Sequence, residues 1–232
     1  MGHNAEIFIS SFNRIEKWMR EHLNNPKNIG FTELVHRSSR RKDSPVAQFE
    51  EDLLQMAQLR NAIVHERIAS DFVIAEPNDW AVERIETIEH ALMQPEKVFP
   101  RFAKRVTGFE HDLPLLELLR IVSEKRYSQF PLYNKGHFEG LITLRALGYW
   151  FAVESAKKRI RLENRTAQDL LMENGKVTNY RFVSSDTTVF DVERLFHEYA
   201  TLEAVLITKD GNPDGQLVGI VRPRDIYSKE KE

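Results

Sequence analysis

The sequence predicts an α+β protein, with an all-α helical bundle at its N-terminus and two copies of a β-α-β-β-α unit after it. Three observations lead to this prediction. Apolar residues recur at helical spacing through the first 94 residues, Pro95 and Pro100 interrupt that pattern, and the rest of the chain contains an internal repeat. We therefore predict two domains, residues 1–94 and residues 95–232.

The N-terminal domain shows four amphipathic segments. In the first of them, Phe8, Phe12, Ile15 and Met19 fall on one face of a helix. The four predicted helices span about residues 5–23, 31–36, 44–65 and 79–92. Between the second and the third lies a basic run, residues 37–42, which we interpret as a solvated loop rather than an RNA-contacting patch.

The internal repeat is visible in two glycine-containing segments and in the helices before them. Gly140, in FEGLITLRALGYW, corresponds to Gly219, in QLVGIVRPRDI, and Asp112 corresponds to Asp186. The interval between the glycines is longer than the interval between the aspartates by five residues. We place this difference in one surface turn, where KDGNPDG replaces KGH. Both aspartates are predicted to be helix N-caps. The repeats span about residues 98–156 and 166–232.

Composition excludes several classes of protein. The 232 residues are 41% hydrophobic and 29% charged with a formal net charge of −2, so no global basic field indicates nucleic acid. The absence of cysteine excludes disulfides, thiolate nucleophiles and cysteine-ligated metals. No apolar stretch is long enough to span a membrane, and no secretion signal is present, so we expect a cytoplasmic protein without a metal site.

The glycine-containing segments resemble the pattern that closes a cystathionine-β-synthase (CBS) motif: glycine, two apolar residues, serine or threonine, two variable residues and aspartate. In the second repeat Gly219 and Asp225 match, but Arg222 stands at the hydroxyl position. In the first, Thr143 matches but Ala146 replaces the aspartate. The resemblance implies a tandem CBS pair that forms a homodimer.

The resemblance also implies a ligand site. In the CBS family the aspartate accepts hydrogen bonds from a ribose diol, so the second repeat is expected to bind AMP, ADP, ATP or S-adenosylmethionine, with the first site degenerate. No cofactor is required. Arg222 either pairs with a di- or triphosphate or fills the cleft and excludes the ligand. The implied ligand-binding residues are Asp225, Arg222, Thr143, Gly219, Tyr180 and Phe182, the last two as walls for the nucleobase.

The segment LRNAIVH resembles the signature of the HEPN superfamily of small helical domains, through Arg60, Asn61 and His65. In the ribonucleases of that family the resemblance implies that the histidine transfers protons and the arginine stabilises the phosphate. The alternative is structural, because these side chains also satisfy hydrogen bonds within and between helices. Catalysis by Arg60 and His65 would require a dimer and an RNA substrate.

Two functions follow from these resemblances. The first is a cytoplasmic regulatory protein whose CBS pair senses an adenine nucleotide and signals through a helical interaction or dimerisation domain, with no enzyme activity. The second is a toxin-like, metal-independent ribonuclease that the CBS pair regulates.

Overall fold

The computed structural model describes residues 2–64, 75–157, 160–172 and 179–227. The chain divides into two compact units, Met1–Glu96 and Lys97–Glu232. The first is helical and the second contains two small sheets with helices, so the predicted α+β class is confirmed. Across the described ranges, every helix is too short or too polar to cross a lipid bilayer.

The first unit is built on amphipathic helices that bury one face each. Phe8, Phe12, Ile15 and Met19 are 0–2% exposed, as the helical spacing predicts. Ser44-Pro45 starts a single 3₁₀ segment, Pro45–Phe49, before the third helix, so the predicted continuous α-helix is wrong over its first turn. The described helices are α1 (His3–His22), α2 (Phe31–Ser39), α3 (Glu50–Val64) and α4 (Asp79–Met93).

The second unit contains two three-stranded sheets among its described residues. In each sheet the first strand is parallel to the middle strand, and the middle strand pairs antiparallel with the third. The first repeat consists of β1 (Phe109–Glu110), α6 (Leu115–Lys125), β2 (Gln129–Asn134), β3 (His137–Thr143) and α7 (Leu144–Ala156). The second consists of β4 (Tyr180–Ser184), α9 (Val189–Glu198), β5 (Ala204–Thr208), β6 (Leu217–Val221) and α10 (Pro223–Tyr227).

Strand register corrects the alignment of the two repeats. Leu132 pairs with Gly140 in the first sheet, and Ile207 pairs with Gly219 in the second. The interval between the two middle strands is therefore four residues shorter than that between the glycines, and one residue longer than that between the aspartates. Placing all five extra residues in one turn was wrong: one lies between α9 and β5, and four lie in the hairpin.

The segment that leads into the first repeat packs on the second repeat. This lead-in segment, residues 97–107, includes the single-turn helix α5 (Val98–Arg101). Val98 is fully buried in the core of the second sheet, and its amide donates to the Thr187 carbonyl at 2.9 Å. The Lys104 amide donates to the Val218 carbonyl at 3.1 Å.

The corresponding segment before the second repeat packs on the first. It includes α8 (Ala167–Met172), whose Ala167 and Leu170 are fully buried in the first core. The Ala167 amide donates to the Leu113 carbonyl at 2.9 Å. Each repeat thus completes the core of the other, and this exchange decides which residues surround each glycine motif.

The predicted aspartate N-caps are wrong. Helix α6 begins at Leu115 after Pro114, and α9 begins at Val189 after Thr188, whose hydroxyl accepts a hydrogen bond from the Asp191 amide. Both helices start three residues after the predicted caps because threonine and proline fill the last positions before them. Asp186 instead pairs with the Lys97 ammonium group at 2.5 Å.

Candidate functional site

A cavity of about 220 Å³ lies beside Arg222, at the end of β6. Its walls come from three parts of the second unit, because the lead-in segment of the first repeat crosses onto the second sheet. They are Lys104–Thr107 of that segment, Arg126–Gln129 between α6 and β2, and Ile220 with Arg222 of the second glycine motif. The lining thus combines polar residues with two apolar ones, Val106 and Ile220.

Asp225 is held by Arg222 through three hydrogen bonds. The Arg222 backbone amide and Nε donate to Oδ2 at 2.8 and 2.7 Å, and Nη2 donates to Oδ1 at 2.6 Å. The two side chains are 23% and 21% exposed, so water reaches both. The residue at the hydroxyl position therefore engages the carboxylate that the CBS resemblance assigns to a ribose.

This pairing sets the ionisation of the site. Partial burial of Asp225 acts to raise its pKa, but the hydrogen bonds from Arg222 outweigh it and hold the pKa below its ordinary value. The same hydrogen bonds raise the pKa of Arg222. Both groups are therefore charged at neutral pH.

Four basic residues line the cavity: Lys104, Arg105, Arg126 and Arg222. Of the residues described, no acidic one is among the cavity's lining. Lys104 is exposed as a whole, yet partial desolvation of its ammonium group, followed by repulsion from Arg222, lowers its pKa. An anion is the chemical partner that this arrangement favours.

Gly219 and Thr143 make contacts that serve packing and helix capping. Gly219 lies against the lead-in segment, where an added Cβ would be 2.5 Å from the Phe102 carbonyl oxygen. Thr143 is 3% exposed, and its hydroxyl accepts a hydrogen bond from the Ala146 amide at the start of α7. Neither residue is part of the cavity lining described above.

Tyr180 and Phe182 lie in β4 of the second repeat and pack against Phe138 of the first. Both rings make edge-to-face contacts with Phe138, at centroid distances of 5.0 and 4.8 Å, in a cluster that includes Leu141. The same cluster contains Ile220 of the second glycine motif, but neither ring is among the residues that line the cavity. The structure brings Arg222 and Asp225 together but does not bring Tyr180 or Phe182 to their cavity.

In the first repeat, residues at and near the corresponding motif positions make contacts within the chain. Ala146, at the aspartate position, is 5% exposed and packs in the first core. The Asn179 amide group donates to the Leu141 carbonyl at 3.4 Å, and Arg145 pairs with Glu203 at 2.7 Å. The expected degenerate first site has no carboxylate at the motif position.

Sequence reasoning missed Lys104, Arg105 and Arg126. The repeat itself contained a signal for two of them, since Lys104 and Arg105 align with Thr178 and Asn179, just ahead of β4, when the two aspartates are aligned. The exchange of lead-in segments was the missing step. Without it, the prediction placed Tyr180 and Phe182 at the site of Asp225, whose neighbouring cavity they do not line.

A larger open groove of about 1,100 Å³ lies along the same lead-in segment. Lys104, Arg105 and Val106 line both spaces, but the groove also contains Glu110 and Asp214. Its mixed charges favour no ligand class. We therefore assign the candidate site to the smaller cavity, which Arg222 lines and Asp225 adjoins.

Arg60 and Asn61, two of the HEPN-like residues, lie on α3 of the first unit. The Arg60 guanidinium carbon is 6.0 Å from the centroid of the Phe12 ring, and Arg60 Nη1 is 3.5 Å from Oδ1 of Asn61. His65 lies outside the described residues. Within the described ranges, no cluster of three or more histidine, aspartate or glutamate side chains has the arrangement of a metal site.

Comparison with known proteins addresses the second unit. The model of the CBS domain family matches the chain twice, at residues 103–148 and 175–232. These matches support a tandem CBS domain pair. The first match ends within α7, so residues 1–102 and 149–174 are unmatched. No curated protein matched the chain.

Solved structures similar to this chain include three with adenosine ligands. CBSX2 in complex with AMP is 17% identical, with 56% of this chain and 93% of that chain covered, at a TM-score of 0.42. The CBS domain pair of MJ0100, in complex with 5′-methylthioadenosine and S-adenosyl-L-methionine, is 19% identical, with 57% and 93% covered, at 0.42. The CBS domain of a bacterial CNNM/CorC family Mg²⁺ transporter, in complex with ATP, is 19% identical, with 62% and 92% covered, at 0.44.

Proposed function

We propose that the CBS pair binds an adenine nucleotide in the cavity beside Arg222 and Asp225, and that this binding regulates the N-terminal helical unit. The observation that carries the proposal is a cavity lined by four basic residues, one of which, Arg222, holds the carboxylate of Asp225. A carboxylate suits a ribose diol, and guanidinium and ammonium groups suit phosphates. The adenine base is assigned from the family match.

The proposed pose follows from the walls of the cavity. The ribose lies at Asp225, the phosphates face Arg222 and Lys104, and the base packs on Val106 and Ile220. This pose replaces the sequence-based assignment of Tyr180 and Phe182 to the nucleobase, because those rings lie against Phe138.

The proposal is tested by thermal and urea unfolding of the full chain with AMP, ADP, ATP or S-adenosylmethionine. A ligand at a hundred times its dissociation constant stabilises the folded state by about 2.7 kcal/mol. We expect stabilisation by at least one nucleotide and its loss in Asp225→Ala. The matched control is Asp112→Ala, an exposed aspartate of the first repeat, which keeps the effect. Absence of stabilisation by every ligand would refute the proposal.

A further inference from the structure

We infer that this site selects polyphosphorylated adenine nucleotides over adenosine ligands that carry no phosphate, with Arg222 as the residue that determines this specificity. The inference rests on the proposed function and names its ligand class. It follows from how Arg222 holds Asp225 and from the charges around the cavity.

The carboxylate of Asp225 already accepts hydrogen bonds from Arg222 before any ligand binds. An ionised carboxylate offers about four lone-pair sites, and Arg222 uses three of them. A ribose diol brings two donors, so at least one contact with Arg222 must break when the diol binds. A ligand that consists only of a nucleoside replaces that contact but offers the displaced guanidinium no anion.

A phosphate chain supplies the missing partner. When the guanidinium of Arg222 leaves Asp225, it can form paired hydrogen bonds with two phosphate oxygens. The diol then donates hydrogen bonds to the carboxylate of Asp225, so both the guanidinium and the carboxylate have new partners. Arg222 therefore does not block the site permanently, and it imposes a condition that the ligand carry phosphate near the ribose.

The other basic residues of the cavity determine how many negative charges the preferred ligand carries. Lys104, Arg105 and Arg126 line the same cavity as Arg222, and Asp225 is the carboxylate in contact with that arginine. The excess of positive charge favours a tri- or diphosphate over a monophosphate. S-adenosylmethionine carries a sulfonium and an ammonium group against one carboxylate, so the same field disfavours it.

The backbone at Arg126 supports this assignment. Arg126 follows α6 with φ of 54°, the left-handed conformation that glycine usually provides at the end of a helix. Arginine in this conformation carries a local cost. Arg126 is among the residues that line the cavity, so a cationic residue stands where the helix end alone would favour glycine.

Isothermal titration of the full chain with ATP, ADP, AMP, adenosine and S-adenosylmethionine tests the inference. We expect ATP to bind at least tenfold more tightly than AMP, and adenosine and S-adenosylmethionine at least a hundredfold more weakly than ATP. In Arg222→Thr, which restores the hydroxyl residue of the CBS pattern, ATP should bind about tenfold more weakly. Adenosine should bind more tightly, because Asp225 is released.

A second pair of variants leaves the ion pair of Arg222 and Asp225 unchanged. Arg126→Gly removes a cation from the cavity and suits its left-handed backbone, so it should fold and bind ATP about tenfold more weakly. Lys135→Gly is its matched control, because Lys135 has φ of 50° in the β2–β3 turn and does not line the cavity. It should bind ATP as the unchanged protein does.

The outcomes separate the inference from the proposed function. If no adenine ligand binds the unchanged protein, the proposed function fails and the inference fails with it. If adenosine or S-adenosylmethionine binds as tightly as ATP, or if both Arg222→Thr and Arg126→Gly keep the original ratio of ATP to adenosine affinity, the site remains an adenosine site and only the inference is overturned.

Discussion

Gly219 lies in β6 directly beneath the backbone of the lead-in segment. An added Cβ would lie 2.5 Å from the Phe102 carbonyl oxygen and 3.0 Å from Cδ1 of Ile207. Backbone cannot move aside as a flexible side chain does, so this glycine is required by packing between the segment and the sheet. The glycine of the CBS pattern therefore has a structural explanation here that involves no ligand.

We predict that Gly219→Ala destabilises the protein by about 1 to 3 kcal/mol through overpacking. Gly148→Ala is the control, because Gly148 lies in α7, where an added Cβ meets no heavy atom within 4 Å. Alanine there should stabilise the helix by up to about 1 kcal/mol. Urea unfolding of both variants measures the difference, and equal stabilities would contradict the proposed close approach.

The exchange of lead-in segments separates the part of the fold that the sequence could predict from the part that it could not. Strands and helices of each repeat followed from apolar patterning and from the internal repeat, and their order is confirmed. The exchange did not follow, because Val98 and Ala167 carry no local signal of which sheet buries them. Contacts of this kind depend on tertiary packing between residues far apart in the chain.

The candidate site, like the fold, was predicted only in part from the sequence. Arg222 and Asp225 lie together because they are three residues apart across a strand end and a helix start, which local reasoning handles well. Lys104 and Arg126 reach the cavity from elements that are distant in sequence. Pattern and spacing could therefore find the carboxylate but could not find most of the positive charge around it.

We predict that Val98→Ala destabilises the second repeat by about 2 kcal/mol, because Val98 is fully buried against Val192, Val205 and Val221. Val153→Ala makes the same change at a partly exposed position of α7 and should cost less than about 1 kcal/mol. Hydrogen exchange of the β5 and β6 amides provides the local measurement. Unchanged exchange in Val98→Ala would contradict the assigned packing.

For the whole molecule, the proposed regulation requires an effect that reaches beyond the unit that binds the ligand. The residues of the cavity all belong to Lys97–Glu232, whereas the helices to be regulated belong to Met1–Glu96. Regulation requires a coupling free energy between ligand binding in the second unit and the state of the first unit, so ligand binding has to produce a measurable change in both units.

Hydrogen exchange measured with and without ATP tests this coupling in the full chain. We predict protection of residues 104–107, 126–129 and 217–227, since these segments form the cavity and its flanks. We also predict a change in the amides of α1 or α4. Protection confined to residues 97–232 would support the binding site and contradict the regulatory part of the proposal. Asp225→Ala, which should show neither change, is the control.

The exchanged lead-in segments also impose an order on folding during synthesis. Val98 is translated long before Leu202, Val205 and Val221, the partners that bury it. The core of the second sheet can therefore form only after Val221 has been synthesised, and forming it closes a loop of more than a hundred residues between Val98 and its partners. A single repeat lacks the segment that completes its sheet, so the pair, rather than either repeat, is the smallest part of this unit that can be moved intact into another protein.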